Sequence, residues 1–196
     1  MQNSNLRTQD KNVQEKKVIF ENALTYRRRM SRICAVQSMY VYDVQNIVDA
    51  HIDNKTLESI TIVPTDIQKS AEDICESVLY HYRNSFFSKE YITKDPKKSS
   101  IDAKYLHEII FKTLSSLKYI DEIISKYINE KWSIDKLEIP IRAILRCAIC
   151  EILNNSKTET SILTSEYTNT TSHFFNGKQI GFVNGIIDKI AKTFRK

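Results

Sequence analysis

A chain of 196 residues with only three glycines and three prolines has few places where it can turn sharply. Sheet proteins use both residues in their tight turns, whereas long helices joined by few breaks need little of either. Together the two make up roughly 3% of the chain against about 12% in average usage, and the sequence therefore predicts an all-α fold. Hydrophobic residues at 41% and charged residues at 27% lie near globular averages, which excludes wholesale disorder and fibrous repeats. The length suits a single domain with a sizeable core.

Helical periodicity locates the elements. Ile33, Val36, Met39 or Tyr40, Val44 and Ile47 recur at helical spacing and predict a helix from about Met30 to Ile47, after a flexible extension over residues 1–25. Pro64, Thr65 and Asp66 mark the start of a second helix with Ile67, Ala71, Ile74, Val78 and Tyr82 buried. Residues 84–100 mix lysines, serines and Pro96 and read as a loop or a short, poorly packed helix. An apolar stripe then runs from Leu106 through Ile110 and Ile124 to Ile128, with one break near Leu117. Pro140 opens the segment IPIRAILRCAICEIL, whose all-round hydrophobicity predicts the central, buried helix. The last two helices are expected over 162–175 and 179–194, the second with Phe182, Val183, Ile186, Ile187, Ile190 and Phe194 inward.

The formal charge of +5 is confined to one end. Residues 1–32 carry eight basic against three acidic side chains, and the rest of the chain balances to zero. A segregated basic segment of this kind suits a polyanion or an acidic surface, or forms a solvated tail. The first twenty residues lack the apolar run of a signal peptide, and no window of eighteen residues is free of polar side chains. A soluble, cytoplasmic protein with no membrane partner is expected. The four cysteines, at 34, 75, 147 and 150, are then expected to be reduced thiols.

All three glycines, at 177, 181 and 185, fall within nine residues. Asn176 and Gly177 predict a left-handed cap ending one helix, and Gly181 and Gly185 lie one turn apart on the next. Each interior glycine costs about 1 kcal/mol relative to alanine, so close approach of another backbone, or of a nucleic-acid strand, is expected to offset that cost.

Sites of catalysis are not legible. Cys147-x-x-Cys150 has no second Cys/His pair to complete a zinc site and reads as two core thiols on an apolar helix. His51, His81, His107 and His173 are scattered, and no phosphate-binding glycine loop or dinucleotide fingerprint occurs. A non-enzymatic protein without cofactor or metal is expected. What remains is Arg27, Arg28, Arg29 and Arg32, placed by this reading at a helix start. There each cation opposes the helix dipole until a phosphate arrives, and both guanidinium forks and helix-terminal amides bind phosphate.

Three ordered segments carry a resemblance: RRRMSRICAVQSMY at 27–40, IPIRAILRCAICEIL at 139–153, and FVNGIIDKIAK at 182–192 with Glu166 before it. In these the chain resembles the NusB family of bacterial transcription antitermination factors, over residues 27–47 and about 105–192. The resemblance implies an all-helical bundle of about seven helices, without catalytic activity. It also implies binding to the boxA element of ribosomal-RNA leader transcripts together with NusE, a small-subunit ribosomal protein. That pair helps RNA polymerase, within its antitermination complex, to read through terminators. On this basis Arg28, Arg29 and Arg32 contact RNA phosphates, Lys178 and Phe182 lie beside the bases, and Tyr40 belongs to the NusE-facing surface.

The sequence departs from the family at two places. Ile141 stands where an acidic residue is usual, which removes one expected partner contact. Asn176-Gly177-Lys178-Gln179-Ile180 replaces a commonly acidic, serine-bearing loop, which strengthens attraction for phosphate. Each assignment has a plainer counterpart: Phe182 as a core residue at helical spacing, and Tyr40 as a cover for the bundle. Two rivals stand beside the reading. One is a free-standing relative of the NusB-like domain of ribosomal-RNA cytosine methyltransferases, for whose cofactor domain the chain has no room. The other is a protein-interaction bundle or homodimer using the Gly181/Gly185 face.

Overall fold

The computed structural model describes residues 2–52, 61–84, 100–128 and 133–195, with residues 2–22 and 83 by backbone alone. In chain order the helices are α1 (Gln2–Ile52), α2 (Ile67–Asn84), α3 (Ala103–Ser115), α4 (Leu117–Tyr127), α5 (Ile139–Asn154), α6 (Thr160–Ser172) and α7 (Lys178–Phe194). A short 3₁₀ turn, Ile134–Lys136, leads into α5. The expected all-α fold of about seven helices is the one observed, and buried residues of all seven helices form one core cluster. No helix among the described residues is long and apolar enough to cross a membrane. The stretch expected to be a loop, 84–100, lies outside the described residues except at its two ends.

The centre of the bundle is α5. Pro140 sits in its first turn, where the missing N–H costs nothing, and residues 141–152 are all buried. Contacts with α1, α3, α4, α6 and α7 surround it. Ile141 is among the buried residues and faces the core. Cys147 and Cys150 face inward on the same helix, and burial pushes both thiols up, Cys150 to about 11. The cysteines at 34, 75, 147 and 150 are all free and buried.

The break predicted near Leu117 falls at Ser116, which ends α3 and begins α4; its N–H bonds back to the Lys112 carbonyl at 3.1 Å. Asp102 caps α3 by accepting from the Tyr105 N–H at 3.1 Å. The Ser31 hydroxyl lies 2.9 Å from both the carbonyl and the N–H of Asp102, which ties the start of α3 to α1.

Three expectations need correction. The first helix does not begin near Met30: its backbone is helical from Gln2, in a stretch without glycine or proline to stop it. Gly177 does not end α6, which closes at His173; with φ of +73° it stands as the residue before α7. Among the described residues no other backbone approaches Gly181 or Gly185, since a Cβ at either would meet nothing within 4 Å. On α7, Val183, Ile186, Ile187 and Ile190 do face inward, but Phe182 and Phe194 are exposed.

Candidate nucleic-acid interface

With α1 starting at Gln2, the arginine cluster lies some seven turns inside a helix and not at its N-terminus. The dipole acts only over the first and last turns. Its amides therefore give no phosphate site at Arg27–Arg32, and the cluster must be judged by its side chains alone.

Those side chains divide. Arg32 is buried, 4% exposed, and is not available to a phosphate. Its Nε donates to Glu151 Oε2 at 2.6 Å, its Nη2 donates to the Tyr105 hydroxyl at 2.7 Å, and its Nη1 lies 3.8 Å from Glu166 Oε2. Burial works against the Arg32 charge, but the carboxylate and hydrogen bonds of Glu151 outweigh it and hold the guanidinium protonated. Sequence reasoning placed Arg32 in the binding site, and the structure moves it into the core. A cation of this size enters an interior only with a carboxylate to meet it, and α5 supplies one.

Arg29 is half-exposed and spends one edge on Glu166, with Nε at 3.1 Å from Oε2 and Nη2 at 2.7 Å from Oε1. That two-pronged bond raises the Arg29 pKa and leaves Nη1 without a hydrogen bond among the described residues. Arg27 is half-buried, with its Nε unpartnered among the described residues. Arg28 alone is exposed, and its guanidinium carbon lies 5.2 Å above the centre of the Tyr105 ring. Among the described residues it has no ion pair with a carboxylate. The ring orients the cation without neutralising it.

The second group of expected residues sits at the junction of α6 and α7. Lys178 is exposed at the first position of α7, and Phe182, one turn on, is 36% exposed and so is not core. Phe174, in the turn between the helices, is also exposed. The element shared by both groups is α6: Glu166 in its middle holds Arg29, and its far end leads into the turn before Lys178. Tyr40, at the C-terminal side of the first motif, is 41% exposed and lines an apolar groove of about 410 Å³ between α1 and α2, with Val41, Val78 and Tyr82. Met39 takes the inward place that the periodicity left open between the two.

One buried network was not foreseen. Arg142 and Arg146, one turn apart on α5, bind Asp43 of α1 at 2.8 and 2.6 Å, and Arg146 also binds Asp121 of α4 at 2.6 Å. Two arginines in an otherwise apolar central helix were the available signal, because full burial obliges each to find a carboxylate. This network and the one around Arg32 clamp α1 against α5 at two levels and so set the face that α1 turns outward.

Comparison with known proteins agrees with this architecture. A family model described as the NusB family matches residues 71–192. The transcription antitermination protein NusB of Rickettsia massiliae (strain Mtu5) is 30% identical over 171 residues, covering 85% of this chain and 92% of that protein. The NusB of Rickettsia bellii (strain OSU 85-389) is 28% identical over 168 residues, covering 84% and 90%. Among solved structures, T. maritima NusB superposes with a TM-score of 0.57 at 21% identity, covering 84% of this chain and 90% of that one. A chain from the crystal structure of a plectonemic RNA supercoil superposes with a TM-score of 0.60 at 20% identity, covering 86% and 96%. The two superpositions establish the fold alone. Taken with the family match over most of α2 to α7 and relatives aligned over more than four-fifths of the sequence, they lead to one assignment: the chain belongs to the NusB family.

Proposed function

We propose that this chain is a cytoplasmic transcription antitermination factor that binds boxA-type single-stranded RNA of ribosomal-RNA leaders together with NusE, within the RNA polymerase antitermination complex. The observation that carries the RNA part is Arg28: an exposed guanidinium, held over an aromatic ring, with no ion pair to a carboxylate among the described residues. Arg27 and the Nη1 edge of Arg29 extend the cationic strip, while Lys178 and the exposed ring of Phe182 offer a second phosphate contact and a stacking surface. Arg32 takes no part except by fixing α1. Tyr40 and its apolar groove are the surface assigned to NusE. The relatives' shared name, transcription antitermination protein, supports the same role.

The test is binding of a boxA-type RNA, with and without NusE, over a series of salt concentrations. Arg28→Ala should weaken binding and flatten the slope of log K against log salt by about 0.7 for the lost phosphate contact. Tyr40→Asp should abolish the gain in affinity that NusE brings while leaving binding by the chain alone unchanged. A competing reading, self-association through α7, is favoured by the open space above Gly181 and Gly185. Dimerisation without any RNA affinity would establish that reading and remove the first.

A further inference from the structure

Beside Arg28 the surface opens into a cavity of about 260 Å³ between α3 and the turn that follows α5. We infer that this cavity seats a single nucleotide of the bound strand, with its phosphate among Arg28, Lys112 and Lys157 and its base against the polar wall formed by Asn155, Ser156 and Tyr105. The inference rests on the RNA-binding reading and extends it to residues of α3 and the α5–α6 turn that neither the sequence analysis nor the comparisons single out.

Size and charge point to one nucleotide. The volume lies just under the roughly 300–1,000 Å³ of sites that enclose whole drug-sized ligands, too small for a helix or a peptide strand. Three cations line it, from three separate elements: Arg28 on α1, Lys112 on α3 and Lys157 after α5. Two carboxylates share the lining, and both are engaged. Glu151, at the base, accepts from Arg32, Tyr105 and Asn155, with the Asn155 bond at 3.1 Å; Glu108 is paired with Lys112 at 2.6 Å on the exposed rim. The Coulombic balance at the mouth therefore favours an anion.

The cavity is also held rigidly. Arg195 pins the turn after α5 from outside, its guanidinium donating to the carbonyls of Ile152 and Thr158 at 2.6 Å each and to those of Glu151 and Asn155. Tyr105 carries Arg28 on one side of its ring system and Arg32 within 5.4 Å of its centre, so the cation at the mouth is oriented by a side chain that is itself hydrogen-bonded. A guanidinium plane so placed stacks on bases as well as binding phosphate. A pocket fixed before binding loses little freedom when the strand arrives.

The experiment titrates a fluorescently labelled, single-stranded boxA-type RNA dodecamer against the full chain at several KCl concentrations. The variants are Arg28→Ala, Lys157→Ala and Lys112→Gln. Lys157→Ala and Lys112→Gln should each lower affinity about fivefold at 0.1 M salt and reduce the slope by about 0.7, with melting temperatures unchanged. A 4-thiouridine in the RNA should crosslink to a peptide containing Tyr105 or residues 154–157. If Arg28→Ala loses affinity while the other two variants bind as the parent does, the cavity is not a subsite and the RNA-binding reading stands. If the unaltered chain binds no RNA, that reading falls and takes this inference with it.

Discussion

Deleting the Arg32 guanidinium separates the arginines that build the fold from the one that faces outward. In Arg32→Ala, Glu151, 3% exposed in the parent, loses the cation that meets both its oxygens. Removing one partner of a buried ion pair typically costs about 3–5 kcal/mol, because the other charge is left uncompensated. The lower end applies here, since Tyr105 and Asn155 still donate to the stranded carboxylate. In a protein of this size each kcal/mol moves the melting temperature by about 2–4 °C, so a loss of about 3 kcal/mol lowers it by roughly 6–12 °C. Arg28→Ala, by contrast, forfeits only an exposed cation–π contact of about 0.5–1 kcal/mol and should melt near the parent.

Thermal and urea unfolding followed by circular dichroism measures both variants, and RNA titration on the same samples supplies the other axis. The sign with pH is fixed. The folded pKa of Arg32 lies above its unfolded value, so the stabilisation is fully present below the unfolded value and is lost only as pH rises through the folded one. Arg32 therefore adds no pH dependence to the parent's stability between about pH 6 and 9. An Arg32→Ala protein that melts with the parent yet loses RNA binding as Arg28→Ala does would refute the division of roles.

Other changes probe the same architecture. Gly181→Ala and Gly185→Ala should each stabilise the fold by about 0.5–1 kcal/mol in urea titrations, because helical alanine is favoured over glycine and the added Cβ has room; a destabilised variant would mean that the α7 face is packed. Phe182→Ala should cost about 1–3 kcal/mol of RNA affinity with little change in melting temperature, given its exposure, and unchanged affinity would return it to a purely structural role. Burial pushes the Cys34 and Cys75 thiols up to about 12, above the unfolded value of 9.0, so the folded state keeps protons that the unfolded chain gives up. Stability should be constant below about pH 9 and fall as pH rises towards 12. A thiol reagent at neutral pH should leave the native protein unmodified and label it only on unfolding; prompt native labelling would contradict the burial.

What the sequence made legible follows from how each signal is generated. Pro140, the break at Ser116, the inward faces of α3 and α4 and, apart from Phe182 and Phe194, that of α7 were readable because they depend on local backbone chemistry and a 3.6-residue period. The start of α1 was not. Residues 1–25 carry no apolar stripe, and periodicity is silent on a polar helix even where nothing breaks it. The arginines show the deeper difficulty, since adjacent positions on a helix point some 100° apart. Arg28, Arg29 and Arg32 are alike in composition and motif, yet one faces solvent, one is shared and one is buried. Their fates were decided by Glu151 and Glu166, residues more than a hundred positions away. Yet α5 carried a clue in Glu151, Arg142 and Arg146, charges on a helix too apolar to lie at the surface. Each required an opposite charge from another helix, and Arg32 was the cation that Glu151 required. Neutralising buried carboxylates thus consumes part of any basic cluster packed beside such a helix. The share left for a polyanion is the part that reaches past the core, which on α1 means Arg28 first.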